Sequence, residues 1–233
     1  MHISKNIEII DLALYLEQEK VLILSDLHIG YEEYLNKQGV LVPRFQLEDL
    51  TKKINNILDR VDASKIIING DLKHEFGTIS KQEWNDTMKI LDLFNGKEVI
   101  LIKGNHDTIL GPIAEKKNIE IKDHYKINDI YICHGDKIPD DEDFKKSKII
   151  IIGHEHPAIS FRERADEKYK CFLKGKWKNK LLLVTPSLNL VTQGSDITKE
   201  KTLSPFLQNH IDDFEVFVVE NKVYDFGKLK DLI

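Results

Sequence analysis

The 233-residue sequence is poor in cysteine and proline and has no long apolar run, and each shortage closes off a class of protein. Its two cysteines, Cys133 and Cys171, stand in no CxxC or zinc-ribbon spacing, which argues against a disulfide-stapled or thiolate-zinc scaffold. A chain of this length buries enough apolar surface to do without either. No basic-then-apolar cleavable leader is visible, so the reducing cytoplasm is the expected compartment. Apolar runs such as Ile149 to Ile152 fall far short of the roughly 20 residues that a bilayer span needs, so a soluble protein with no membrane partner is expected. With no internal repeat, no Pro/Ser-rich linker and no low-complexity tract, nothing marks a boundary, and a single domain over 1–233 is expected. A net charge of −5 is too slight to recruit a partner by bulk electrostatics alone.

What is present alternates. "IEIIDLALYL" and "KVLILSD" read as a strand pair around the turn Glu17 to Lys20, followed from about Phe45 by a helix carrying Leu47, Leu50, Ile54, Ile57, Leu58 and Val61 at steps of three and four. Pro43 suits the entry to that helix. "KIIING" is a short β-branched strand. Ser80 and Glu83 form a capping box ahead of Trp84, Met88, Leu91 and Phe94, and this second helix stops at Asn95-Gly96. "EVILIKGN" reads as another strand. Beyond it "IEIKDHYKI", "DIYICHG", "KIIIIGHEH", "KLLLVTPS" and "DFEVFVVENKVYDF" are strand-like with little helix between them. Such a chain predicts layered sheets flanked by helices drawn largely from its first half.

Five of the apolar runs end in polar clusters: Asp26-Leu27-His28, Gly70-Asp71, Asn105-His106-Asp107, His134-Gly135 and His154-Glu155-His156. In an extended segment, residues two apart face the same side, so Asp26 with His28 and His154 with His156 would each aim two donors into one space. Ligands of open α/β sheets bind beyond the carboxyl ends of strands, where all five clusters would emerge. Six of the nine histidines (His28, His74, His106, His134, His154 and His156) lie in or beside them. Mixed imidazole and carboxylate donors suit Mn, Fe, Zn or Ni, whereas an all-oxygen set suits Mg or Ca. Each cluster alone has an ordinary reading, as a turn residue, a loop or a helix cap. Five in succession at strand ends do not.

As an ordered set, residues 26 to 156 resemble the signature of the calcineurin-like metallophosphoesterases. The resemblance implies an α/β (α+β) fold, a four-layer αββα sandwich in which two packed mixed β-sheets are flanked by helices. It also implies two divalent ions, manganese foremost with Fe, Zn or Ni as alternatives. One ion would be held by Asp26, His28 and His156 and the other by Asn105, His134 and His154, with Asp71 bridging them. His106 would reach the phosphate or the leaving oxygen, oriented by Asp107. The implied activity is hydrolysis of a phosphoester by in-line attack of a hydroxide shared between the ions.

"SDLHIGYEEYLNKQGVLVPRFQ" and "GDLKHEFG" further resemble a prokaryotic branch that includes a manganese-dependent DNA endonuclease and phosphodiesterase associated with DNA ligase or large helicase-related proteins. "GDLKHEFG" lacks the Asp-Arg-Gly that follows Gly-Asp in the phosphoprotein phosphatases. The resemblance makes DNA the expected substrate, a helicase or DNA ligase a candidate partner, and Arg44, Lys73 and His74 the expected phosphate-gripping residues. Arg44 reads equally as a solvated residue near a helix start, and His74 as an outer partner of a ligand. Small phosphodiesters such as cyclic nucleotides are the alternative substrates, and a non-catalytic binding subunit is the remaining alternative.

The lysine-rich stretch 168 to 180 reads as a hairpin about Gly175, its lysines either guarding a sheet edge, the favoured reading, or binding nucleic acid. Thr185, Pro186, Ser187 and Asn189 read as structural loop residues, and Cys133 as core.

Overall fold

Strict alternation of side chains along the apolar strands gives each of two sheets an inner and an outer face. The computed structural model describes residues 1–42, 45–161, 164–209 and 211–232. In the first sheet β1 (His2–Ser4), β2 (Ile7–Ile10), β3 (Ala13–Leu16), β4 (Val21–Ser25), β5 (Lys65–Asn69), β6 (Glu98–Ile102) and β7 (Glu120–Lys122) lie side by side in chain order. Pairing is antiparallel as far as β4 and parallel from β4 to β7. The second sheet runs β14 (Ser195–Asp196), β11 (Pro157–Phe161), β12 (Arg164–Trp177), β13 (Lys180–Val184), β10 (Ile149–Ile152), β9 (Ile130–Cys133), β8 (His124–Ile127). From it branch β15 (Glu215–Val219), paired to β12, and β16 (Val223–Lys228), paired to β15.

Val21, Ile23 and Ile67 of the first sheet meet Ile132, Ile151, Phe172 and Leu183 of the second in the layer between them. The alternate residues Leu22, Leu24, Ile66 and Ile68 face outward onto helices α2 (Gln46–Leu58) and α3 (Lys81–Asp92), through Leu50, Ile54, Ile57 and Ile90. Full burial of each such side chain contributes roughly 1.5–3 kcal/mol. The outer face of the second sheet is covered more thinly, by Phe144 of the five-residue α5 (Glu142–Lys146) and by Phe206, Leu207, Phe214 and Leu229. The architecture is therefore two mixed sheets flanked by helices, most of them from the first half of the chain.

Several segments depart from the sequence-based expectations. "IEIIDLALYL" is two strands, because Asp11 takes a left-handed φ of 55° and turns the chain between them. "IEIKDHYKI" divides at Asp123, with β7 closing the first sheet and β8 opening the second. Helices α1 (Tyr31–Lys37) and α4 (Gly111–Lys117) are too short for periodicity to reveal. The capping box is half formed: Ser80 Oγ accepts from Glu83 N at 3.0 Å, but Glu83 Oε1 accepts from His74 N and Glu75 N, both at 3.0 Å. That carboxylate ties α3 to the loop carrying His74.

The lysine-rich stretch does form a hairpin, but it turns at Lys178-Asn179 and not at Gly175, since Trp177 pairs with Lys180. β12 continues through Gly175 to Trp177, pairing with β11 as far as Lys170, with β15 over Cys171–Lys174 and with β13 over Leu173–Trp177, so that Leu173 and Lys174 have a strand partner on each side. Lys168 pairs with Glu200 and Lys174 with Glu215, while Lys170 and Lys180 donate to backbone carbonyls. Gly175 is there because Phe214 lies across it: an added Cβ would sit 2.2 Å from the Phe214 ring. Gly175→Val should therefore destabilise the chain by about 1–3 kcal/mol, and Lys176→Ala at the neighbouring exposed position by under about 0.5 kcal/mol. Equal urea midpoints for the two variants would refute this account.

Candidate metal centre

The strand ends deliver the polar clusters, with a different local geometry from the extended one expected. β4 ends at Ser25, and Asp26 and His28 both occupy the left-handed region, with φ of 54° and 45°. Asp71, His154 and His156 do the same at 44°, 64° and 50°. The donor pairs converge because the backbone coils at each strand end, at a cost of order 1–3 kcal/mol per residue that the surroundings must offset.

Those surroundings are visible. Leu188 N donates to Ser25 O at 2.8 Å and Ser187 Oγ to Asp26 O at 2.6 Å, while Asn189 Nδ2 donates to Leu27 O and His28 O at 3.1 and 3.2 Å. Lys170 Nζ holds that loop from behind through Ser187 O, at 2.8 Å, and Asn189 O. Ser187, Asn189 and Lys170 thus brace the Asp26–His28 coil, and Thr185 Oγ1 lies 2.7 Å from Ser25 Oγ at its start. Only the polar run after β13 hinted at this in the sequence.

The donors meet. Asp26 Oδ1 is 3.5 Å from His156 Nε2 and 3.5 Å from His134 Nδ1, and His28 Nε2 is 3.3 Å from His156 Nε2. His134 Nε2 is 2.9 Å from Asn105 Oδ1, 3.1 Å from His154 Nδ1 and 3.5 Å from Asp71 Oδ2. Asp71 Oδ2 is also 3.6 Å from His28 Nε2. Asp26, His28 and His156 form one cluster able to hold a metal ion, and Asp71, His134 and His154 a second. The glycines before the ligands make room: a Cβ on Gly70 would lie 2.0 Å from His134 Nδ1, and one on Gly104 2.1 Å from Asp71 Oδ1.

A cation fits this donor set. One ring proton on His134 Nε2 could satisfy only one of its three neighbours, and the buried Asp26 Oδ1 has no hydrogen-bond partner. Burial, and then the charges of Asp26 and Asp107, push the Asp71 carboxyl up to about 9. Asp26 is held below the usual carboxylate range: burial opposes this, but His156 and His134 and the His154 N–H outweigh it. Burial lowers His28 well below the ordinary imidazole value and takes His154 down to about 4. Neutral imidazoles are the form that binds metal.

The remaining expected residues divide. His106 and His74 line the same cavity, of about 300 Å³, as His28, Asp71, Asn105, His154 and His156. His106 is oriented by the His74 carbonyl, which accepts from its Nδ1 at 2.8 Å, and not by Asp107. The buried Asp107 carboxylate instead accepts from the backbone N–H groups of Gly104, Leu72 and Lys73. His74 Nδ1 lies 3.4 Å from His28 Nδ1. Lys73 does not grip a phosphate here: it is fully buried, with Nζ donating to Glu75 O and His106 O. Arg44 and Pro43 lie outside the described residues. Cys133 and Cys171 are buried, with burial raising both thiols.

A family model for calcineurin-like phosphoesterases matches residues 19–194. The chain belongs to that family. Among solved structures, the calcineurin-like chain is similar to the Pseudomonas putida nuclease MPE, with a TM-score of 0.64 and 20% identity over 94% of this chain and 93% of that one. At that identity the likeness establishes the shared fold. Yfce, a phosphoesterase from E. coli, is more distant, with a TM-score of 0.43 and 12% identity over 91% of this chain and 94% of that one. No curated protein matches the chain in sequence. Among the described residues, no helix of this phosphoesterase is long and apolar enough to cross a membrane.

Two predictions follow from the buried donors. With Asp71 titrating at about 9, manganese binding at pH 7 should release about one proton, measurable by calorimetry in buffers of different ionisation enthalpy. Between about pH 6.5, above which unfolded histidine is neutral, and about 9, Asp71 of the folded metal-free chain holds a proton that it lacks in the unfolded chain, while Lys170, lowered by burial to about 7, has lost one that the unfolded chain keeps. The two contributions nearly cancel above about pH 7, and saturating manganese, which takes the Asp71 proton away, should make the pH dependence of stability more positive by about one proton; no proton release and no change of slope would contradict the burial of Asp71. Separately, Asn189→Ala should weaken metal binding roughly 10–100-fold with an unchanged far-UV spectrum. Unaltered affinity would remove the bracing role.

Proposed function

We propose that this calcineurin-like phosphoesterase is a two-metal phosphodiesterase acting on DNA. One observation carries the hydrolytic reading: two clusters of His and Asp donors flank a single carboxylate, Asp71, on the wall of a cavity. Asp26, His28 and His156 would hold one ion and Asn105, His134 and His154 the other, with Asp71 shared. Bound there, such a pair supplies an activated water and neutralises phosphate oxygens.

The chain's own groups do the rest. The Asp26–His28 coil, braced by Ser187 and Asn189, keeps its donors from following the substrate. His106, with its Nδ1 proton committed to His74 O, keeps a lone pair at Nε2. A phosphate anion in the cavity favours its imidazolium form, which carries a proton at Nε2 for the departing oxygen. His74, beside both rings, lines the approach.

DNA as substrate is supported by the likeness of "SDLHIGYEEYLNKQGVLVPRFQ" and "GDLKHEFG" to the nuclease branch, and by the nuclease name of the Pseudomonas putida structure. Imidazole-rich donors favour manganese over magnesium. Cytoplasmic residence, a helicase or DNA ligase partner and a phosphate-binding Arg44 belong to the same reading.

Metal-stripped protein should be reloaded with Mn, Mg, Zn, Fe or Ni and given covalently closed circular DNA and a chromogenic phosphodiester in parallel. Manganese should give the fastest turnover of both, with opening of the circle. Asp71→Ala should lower both rates about 10²–10³-fold. Hydrolysis of neither substrate with any metal would refute the phosphodiesterase, and hydrolysis of the chromogenic ester alone would refute DNA.

A further inference from the structure

A band of five aromatic rings crosses the mouth of the metal cavity, and the hydrolytic reading uses only its middle. The centroids of Tyr34 and His74 are 4.8 Å apart, those of Tyr31 and His74 4.3 Å, those of His74 and His106 5.1 Å, and those of His106 and Phe76 4.0 Å. The two histidines and Tyr31 line the cavity, whereas the ends of the band are open to solvent, Phe76 being 57% exposed and Tyr34 37%.

We propose that Phe76 and Tyr34 form a subsite for a nucleobase attached next to the scissile phosphate. This deepens the DNA reading and rests on it. Phe76 packs against His106, the residue assigned to the departing oxygen, at an interplanar angle of 36°. A flat ring one sugar away from a phosphate held by the ions therefore meets an aromatic surface immediately beside it. Isolated exposed apolar side chains are commonplace on proteins. Phe76 and Tyr34 differ in terminating a continuous run of ring contacts, some stacked or tilted and one edge-on, that begins inside the cavity. Aromatic faces take any base, because stacking needs only a π-face, so the subsite would select for the presence of a base and not for its identity.

The test compares manganese-loaded wild type, Phe76→Ala, Phe76→Trp and Tyr34→Ala on thymidylyl-thymidine and its two abasic analogues, each lacking one thymine. Wild type should prefer the intact dinucleotide over one analogue. Phe76→Ala should lower that ratio of kcat/KM about 5- to 100-fold, the scale of base–aromatic stacking, and Phe76→Trp should restore it. Because Phe76 also touches His106, misplacement of that ring on truncation would depress every substrate together; Tyr34→Ala, which removes a ring that packs on His74, should then still lower the ratio. Ratios that neither alanine variant moves overturn the subsite while leaving the phosphodiesterase intact. A wild type that cleaves the chromogenic ester but none of the dinucleotides overturns the subsite together with the DNA reading.

Discussion

Asp71 Oδ2 stands 3.6 Å from His28 Nε2 on one side and 3.5 Å from His134 Nε2 on the other, and most of what is unusual in this chain bears on that placement. A buried carboxylate beside Asp26 and Asp107 is electrostatically unfavourable, and the His28 imidazole beside it is too desolvated to carry compensating charge. Cations bound there would resolve the conflict. Other features near the centre bear on the same problem. The left-handed coils at the strand ends bring the donors within reach, the glycines before them clear the space, and Ser187, Asn189 and Lys170 pin the coil from behind.

The chemistry of the site was legible in the sequence because donor identity is local. Asp-x-His, Gly-Asp, Asn-His-Asp and Gly-His-x-His each name their atoms, and their succession at strand ends told that they would meet. The geometry was less legible. Period-two reasoning placed Asp26 and His28 on one face of an extended segment, whereas positive φ brings them together. Local sequence could not reveal this, since the strain is offset by contacts from other segments, among them residues more than 150 positions away. Lys73 shows the complementary failure. A lysine next to a catalytic-looking carboxylate suggests phosphate binding, yet its neighbours fold over it and its amine is spent on carbonyl oxygens.

For the fold, long helices and buried strands were readable because their periodicity spans several turns or several residues. The errors fall where a strand run hides a corner. Asp11 and Asp123 each sit inside an apparently continuous β pattern, and each turns the chain, the second into the other sheet. The lysine-rich segment misled for a related reason: Gly175 suggests a turn and alternating charge a solvated face, but β12 runs on past the glycine and most of its lysines answer acids or carbonyls nearby.

The donors of the metal centre come from both slabs of the sandwich. Asp26, His28, Asp71 and Asn105 follow strands of the first sheet, and His134, His154 and His156 follow strands of the second. Two ions seated between them would thus be a clasp as well as a reagent, adding their own affinity to the resistance of the two slabs against parting. The ions available in its surroundings would govern how long the folded molecule persists, and not solely how fast it works.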